Sequence, residues 1–141
     1  MIRKSNVDTM QLLNRLLVVE HRSLPMYLTD ACPWRRAGDE KAAETLENIV
    51  ADKRQMVARI VEFIQDRGGT IGLGHFPMEF TDTHDLSLDY LVRELVRCQR
   101  LDIERIERLV DLLRDDRAAC ELAQEALGAD RAHLEALERV V

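Results

Sequence analysis

The sequence predicts an all-α protein: a four-helix bundle with one long crossover between its second and third helices. Aromatic residues make up only 4% of the 141 residues and charged residues 33%, a balance that favours long amphipathic helices over a β-sandwich or barrel. Four long segments repeat apolar residues at helical spacing. The stretch between the second and third, residues 68–84, is longer than compact domains usually contain unless it crosses the whole fold.

The first predicted helix spans about residues 5–30. One face of it carries Leu13, Leu16, Leu17, Glu20 and Tyr27. Pro25 has no N–H to donate to the carbonyl of His21, so we expect a kink or a short break at this point.

The second predicted helix spans about residues 39–67. Asp39 favours a helix N-terminus and Gly68 favours a C-terminal cap. The apolar stripe of this helix reads Leu46, Ile49, Val50, Lys53, Met56, Val57, Ile60, Phe63 and Ile64. Lys53 therefore lies on the face that should point into the protein.

The third and fourth predicted helices span about residues 85–114 and 116–140, and the acidic pair between them provides a break and a cap. At 1.5 Å per residue, helices of about 25 residues rise roughly 38 Å and match one another in length, as a bundle requires. We therefore expect a single domain over residues 1–141.

Composition excludes several classes of protein. The net charge is −6 with both signs interspersed, and no basic patch with interleaved aromatics is present, so we expect no nucleic-acid partner. Cys32, Cys98 and Cys120 are too few and too irregularly spaced for a disulfide framework. The apolar run near the N-terminus is interrupted by Arg15, which predicts neither a signal peptide nor a membrane span, so the cytoplasm is the expected location.

The inward positions of the helices carry residue types that bind metals. Glu20 lies on the first helix, and Asp130 and His133 form an acid-x-x-His pair on the fourth. A carboxylate facing such a pair is how four-helix bundles hold metal ions. The corresponding inward positions of the second helix are Lys53 and Met56, which place a positive charge and a soft thioether where anionic and imidazole ligands are needed.

With these residues in place, the chain resembles the ferritin-like superfamily, and bacterioferritin most of all. The run Leu13–Leu17 precedes Glu20, and Tyr27 follows two turns later, as in bacterioferritin. The spacing from the first helix also matches, and it places Lys53 and Met56 at the first acid-x-x-His motif of that family. The pair on the fourth helix matches the second motif, with aspartate in place of glutamate.

The resemblance implies a site for two irons, bridged by carboxylates and each bound by one histidine, at which oxygen or peroxide oxidises the metal. In this chain the implied ligands are Glu20, Asp130 and His133, with Gln99 or Asp102 from the third helix, and with Lys53, Met56 and Tyr27 lining the site. The position of the haem-ligand methionine of bacterioferritin is occupied by Arg54, so haem is not expected.

Electrostatics favours one interpretation of this mixture. A buried ammonium is very costly without a partner, so Lys53 should pair with Glu20 and Asp130 and act as an internal counter-ion. We therefore expect no ferroxidase activity, no catalytic residues and no cofactor. The alternative is a reduced site at Glu20, Asp130 and His133 that still binds one divalent ion such as iron.

Two further interpretations concern the outside of the bundle. Ferritin-like chains commonly form dimers through their first two helices, so the resemblance implies a homodimer, with a larger assembly as an option and the protein partner unknown. A four-helix scaffold with chance resemblance would instead leave Asp130 and His133 facing solvent.

Overall fold

The computed structural model describes residues 6–31, 38–83 and 86–141, and these residues form a bundle of long helices. Its elements are α1 (Asn6–His21), α2 (Leu24–Ala31), α3 (Glu40–Asp66), a 3-10 helix (Met78–Thr83), α4 (Leu88–Leu112) and α5 (Arg117–Arg139). The predicted all-α four-helix bundle with one long crossover is confirmed. The predicted boundaries at residues 5, 84 and 85 lie outside the described residues, as does Cys32. None of the helices in the described ranges has the length and the apolar composition required to cross a membrane.

The segment predicted as one helix, with a kink or short break at Pro25, forms two helices in the structure. The break falls just before the proline: α1 ends at His21, and Ser23 donates its hydroxyl to the carbonyl of Glu20 at 3.0 Å. Backbone pairing resumes with the amide of Tyr27, which donates to the carbonyl of Ser23 at 3.1 Å. The hydroxyl of Ser23 thus provides a hydrogen-bond donor for the carbonyl of Glu20 at the end of α1, where the helical backbone bonds are interrupted.

Two glycines end α3. Gly68 has a φ of +75°, a left-handed conformation that side chains other than glycine rarely adopt. Its amide donates to Gln65, and the amide of Gly69 donates to Ile64, both at 2.9 Å. A Cβ on Gly69 would lie only 2.8 Å from side-chain atoms of Ile64 and Met10, so close packing requires a glycine there as well.

The first part of the crossover, residues 70–73, is attached to α1 by polar contacts. Asn14 donates from Nδ2 to the carbonyl of Thr70 at 2.8 Å and accepts the amide of Gly72 at 2.7 Å. Further along, Arg22 Nε donates to the carbonyl of Leu73 at 3.1 Å. These contacts lead the chain back along α1 before α4 begins, which is why the connection needs its length.

The core consists of two apolar clusters with a polar layer between them. The first cluster includes Leu13, Leu16, Leu17, Met56, Ile60, Ile103, Ile106, Ala123 and Leu127, and the second includes Leu24, Leu28, Ile49, Val50, Leu91, Leu95, Cys98 and Leu137. On each long helix the two sets are separated by buried polar residues. On α3, for example, Lys53 stands between Val50 of one cluster and Met56 of the other.

Asp116 links the start of α5 to the end of α3. Its Oδ1 atom accepts the amide of Ala119 at 3.2 Å, as an N-cap does, and accepts Nη2 of Arg67 at 3.0 Å. Replacing it removes a helix cap and an ion pair together.

We expect Asp116→Ala to lower the free energy of unfolding by about 1–2 kcal/mol, because an N-cap is worth roughly that much. The neighbouring exposed substitution Asp115→Ala is the matched control and should change stability by less than about 0.5 kcal/mol. Urea unfolding of the two variants measures the difference. Equal losses would contradict the capping role of Asp116.

Candidate functional site

The polar layer of the core contains six of the residues that the sequence suggested for the site. These residues are Glu20 on α1, Lys53 on α3, Gln99 and Asp102 on α4, and Asp130 and His133 on α5, and all six are buried. Helical spacing turns each of them inward at the same level of the bundle. Asp130 and His133 therefore do not face solvent, as a chance resemblance would require.

Lys53 lies at the centre of the layer. Its side chain is 0% exposed, and Nζ lies 3.1 Å from Oδ1 of Asp130 and 3.4 Å from Oε2 of Glu20. Burial by itself lowers the pKa of the ammonium, but the carboxylates of Glu20, Asp130 and Asp102 outweigh it and raise the pKa above the usual value. Lys53 therefore keeps its charge inside the protein.

The two carboxyl groups around Lys53 titrate in opposite directions. Burial raises the pKa of Glu20 well above its usual value, and a hydrogen bond with Asp130 raises it further against the pull of Lys53. Burial also acts on Asp130, but Lys53 and hydrogen bonds from Glu20 and His133 outweigh it and lower the pKa of that group. Of the two acids, Glu20 therefore binds a proton more readily and Asp130 keeps its negative charge more readily.

Hydrogen bonding indicates that the two acids share one proton. Oε1 of Glu20 and Oδ2 of Asp130 are buried and accept from no donor within the described part of the chain. A proton on one carboxyl group supplies the donor that both oxygen atoms need. One ammonium and one shared proton thus serve both acids.

His133 connects this cluster to the protein surface. Its Nδ1 lies 3.3 Å from Oδ1 of Asp130, and its Nε2 lies 3.0 Å from Oδ2 of Asp52, whose side chain is 61% exposed. The sequence reasoning missed Asp52. The available signal was that Asp52 is the sequence neighbour of Lys53, which lies on the inward stripe of α3. Only the packing of α5 against α3 shows that the Asp52 carboxylate reaches the imidazole of His133.

The two α4 residues that the sequence left as alternatives occupy different places in the layer. Gln99 donates from Nε2 to the backbone carbonyl of Asp130 at 2.9 Å. Asp102 accepts from Arg105 at 2.9 Å, and burial raises its pKa to about 6 in spite of the positive charges of Lys53 and Arg105. Gln99 thus holds α5, whereas Asp102 adds a negative charge near Lys53.

The other two predicted lining residues have apolar surroundings. Met56 is buried in the first apolar cluster, one turn from Lys53. The ring of Tyr27 packs against Phe76 at 5.2 Å and Phe80 at 5.7 Å, centroid to centroid, and so joins α2 to the crossover.

This arrangement does not fit a two-iron centre. A pair of divalent ions needs several anionic oxygen ligands to balance its charge. Here the contacts of both Glu20 and Asp130 are directed at the Lys53 ammonium, and both ring nitrogens of His133 face carboxylates. Among the described residues, no group of three or more His, Cys, Asp or Glu side chains is arranged to hold a metal ion.

Comparison with known proteins supports the fold. The sequence profile of the Ferritin family, described as a ferritin-like domain, matches residues 10–141. Searches of curated proteins and of solved structures gave no significant match. The resemblance to the ferritin-like superfamily noted in the sequence is therefore confirmed.

The opposite pKa shifts of the two acids predict unequal effects of amide substitutions. Glu20→Gln replaces the acid whose neutral form burial favours with a neutral amide and should cost no more than about 1 kcal/mol of stability. Asp130→Asn removes the anion that balances a buried ammonium and should cost about 3–5 kcal/mol. Denaturant unfolding at pH 7 compares the two variants, and equal costs or the reverse order would contradict the assignment.

Asp102 should make the stability depend on pH. Its folded pKa of about 6 lies above the value of about 3.9 expected in the unfolded chain, so the folded state binds more protons between these values. Its contribution to stability is therefore lost as the pH rises through this window.

Relative to the parent, Asp102→Asn should accordingly gain about 2 kcal/mol between pH 4 and pH 7. Asp111→Asn is the control, because it breaks an exposed aspartate–arginine pair of the same i,i+3 spacing. Unfolding curves at several pH values measure both differences. A gain that is flat with pH, or equal in the control, would rule out the effect of burial.

Proposed function

The chain belongs to the ferritin-like family, and we propose that within it this protein is a bacterioferritin-like member whose di-iron site is degenerate and non-catalytic. The observation that carries the proposal is the position of Lys53, whose Nζ lies 3.1 Å from Asp130 and 3.4 Å from Glu20. In the proposed role Lys53 is an internal counter-ion, placed where a ferroxidase has a bridging carboxylate.

The charge balance of the site supports this role. Lys53 carries one positive charge and Asp130 one negative charge, and burial raises the pKa of Glu20 and so favours its neutral form. The central group is thus close to neutral without any metal. An incoming divalent ion would meet a repelling ammonium and only one fully charged carboxylate in contact with it.

The absence of a second histidine supports it as well. The family motif on α3 would place an imidazole where Met56 lies, and a thioether is a poor ligand for ferrous iron. Met56 instead packs among apolar side chains. The substitutions at residues 53 and 56 together remove one bridging ligand and one terminal ligand of the implied site.

In the absence of ferroxidase activity, the proposed role of the protein is that of a structural scaffold. The ammonium of Lys53 joins α3 to α1 and α5, so the bundle would not need a metal ion to hold its core together. This proposal includes a cytoplasmic location. It also includes a homodimer, as the family resemblance implies, through the first two helices predicted from the sequence, which are α1 with α2 and α3 in the structure. Its outer faces would then bind a protein partner or further copies.

A reduced site that binds one divalent ion is the alternative. The close approach of His133 Nδ1 to Asp130 Oδ1, at 3.3 Å, is the feature that favours it, since a small movement would let both groups and Glu20 face one ion. Lys53 would have to give up its contacts with both carboxyl groups.

Metal content and ferrous titration under air separate the two roles. We expect the purified protein to contain well under about 0.1 iron per chain, and ferrous ion to oxidise no faster than in buffer, because the internal cation competes with the metal. Stoichiometric iron would support the reduced site, and rapid oxidation would refute the non-catalytic role.

Reversing the substitutions tests the placement of the two α3 residues. Lys53→Glu combined with Met56→His should create binding of at least one Co²⁺ or ferrous ion per chain, because it restores a bridging carboxylate and an imidazole. Isothermal titration measures the gain.

Two controls accompany that variant. Arg54→Glu makes the same charge change on an exposed neighbour, and Lys53→Met removes the cation without adding a ligand. Neither should gain comparable affinity. If the double variant binds no better than these controls, residues 53 and 56 do not belong to a degenerate metal site.

A further inference from the structure

α4 exposes a line of large apolar side chains on the side away from the core. Tyr90, Leu101 and Leu112 are 50%, 39% and 43% exposed. They are spaced eleven residues apart, which is three helical turns, so they lie on nearly one line about 16 Å from one to the next. Each of these side chains stands singly among charged neighbours, so the case for a binding surface rests on their alignment together with the charges on the same face.

Charged residues on the same face are arranged symmetrically about Leu101. Glu94 lies seven residues before it and Arg108 seven residues after it, and these two charges are opposite. Arg97 and Arg105 lie four residues before and after it, and each has a carboxylate on its own chain, Glu94 and Asp102 respectively, at 2.9 Å.

We propose that this stripe, formed by Tyr90, Glu94, Arg97, Leu101, Arg105, Arg108 and Leu112, binds the same stripe of a second copy of the chain. The two α4 helices would run antiparallel about a two-fold axis at Leu101. A two-fold contact requires a surface that complements itself, and few patterns do so. This contact lies on α4, whereas the dimer implied by the family resemblance uses the first two helices, so it does not depend on the proposed function.

The antiparallel arrangement brings complementary side chains together at the axis, at both ends and at one charged pair. Leu101 meets Leu101 of the second copy at the axis, and Tyr90 meets Leu112 of the second copy at each end. Glu94 meets Arg108 of the second copy, so an opposite-charge pair forms twice. Arg97 approaches Arg105 of the second copy, but both arginines are already balanced by carboxylates on their own chains.

The surface beside Tyr90 provides room for the incoming side chain. A cavity of about 230 Å³ opens there between α4, α2 and the crossover, and its walls combine apolar side chains such as Phe80 and Leu86 with charged ones such as Glu79 and Asp82. Leu112 of the second copy would thus meet Tyr90 beside a cavity of mixed apolar and charged lining. One helix pair buries a modest area, which implies a reversible, concentration-dependent dimer.

Complementary charge reversal tests this geometry by sedimentation equilibrium. Glu94→Lys and Arg108→Glu should each weaken self-association by about tenfold or more, because each places like charges together twice. A one-to-one mixture of the two variants should associate again, since every such pair is then opposite in sign.

Three results would overturn the proposal: parent protein whose state of association does not change with concentration up to about 100 µM, single variants that associate like the parent, or a mixture that does not recover. Circular dichroism confirms that each variant folds.

A cross-link tests the axis directly. In a Cys32→Ser background, Leu101→Cys should form a covalent dimer under mild oxidation, because the axis brings the two positions into contact. Arg93→Cys, on another side of α4, is the matched control, and the native Cys98 and Cys120 are buried. Cross-linking no greater than in the control would exclude a two-fold axis at Leu101.

Discussion

The ion pair between Lys53 and Asp130, with the carboxyl group of Glu20 beside it, is the contact on which the rest of the structure depends. It joins α3, α5 and α1 at one level, between the two apolar clusters of the core. A buried charge without a partner costs several kcal/mol. A displacement of one helix along another would therefore break this ion pair as well as the apolar contacts. The pair therefore sets the register of the bundle as well as the polarity of its centre.

The same contact explains how a ferritin-like fold accommodates two buried acids without requiring a metal for charge balance. Acids on facing helices repel one another unless a cation or a proton lies between them. In this chain the ammonium of Lys53 comes from α3, and burial raises the pKa of Glu20 and so favours its protonated form. The architecture of the family is thus compatible with a centre that is electrically balanced by the protein itself, which is the basis of the proposed non-catalytic role.

Helical periodicity places different residues of α4 inside and outside the bundle. On α4 one side places Gln99 and Asp102 in the polar layer, while another presents Tyr90, Leu101 and Leu112 to solvent. Changes at Glu94 and Arg108 would alter the proposed association without touching the polar layer, because their side chains point away from it. Assembly and the chemistry of the centre are therefore open to separate experimental tests.

By itself the sequence determined the helices, the crossover and which residues turn inward, because helical spacing, the glycine stop after α3 and the acidic cap at Asp116 act over a few residues. It led to Lys53, Glu20 and Asp130 as members of one layer. Only the tertiary structure decided that Asp52 reaches His133 and which acid binds a proton more readily. Those outcomes depend on distances between helices and on burial, which arise when residues far apart in the chain pack together.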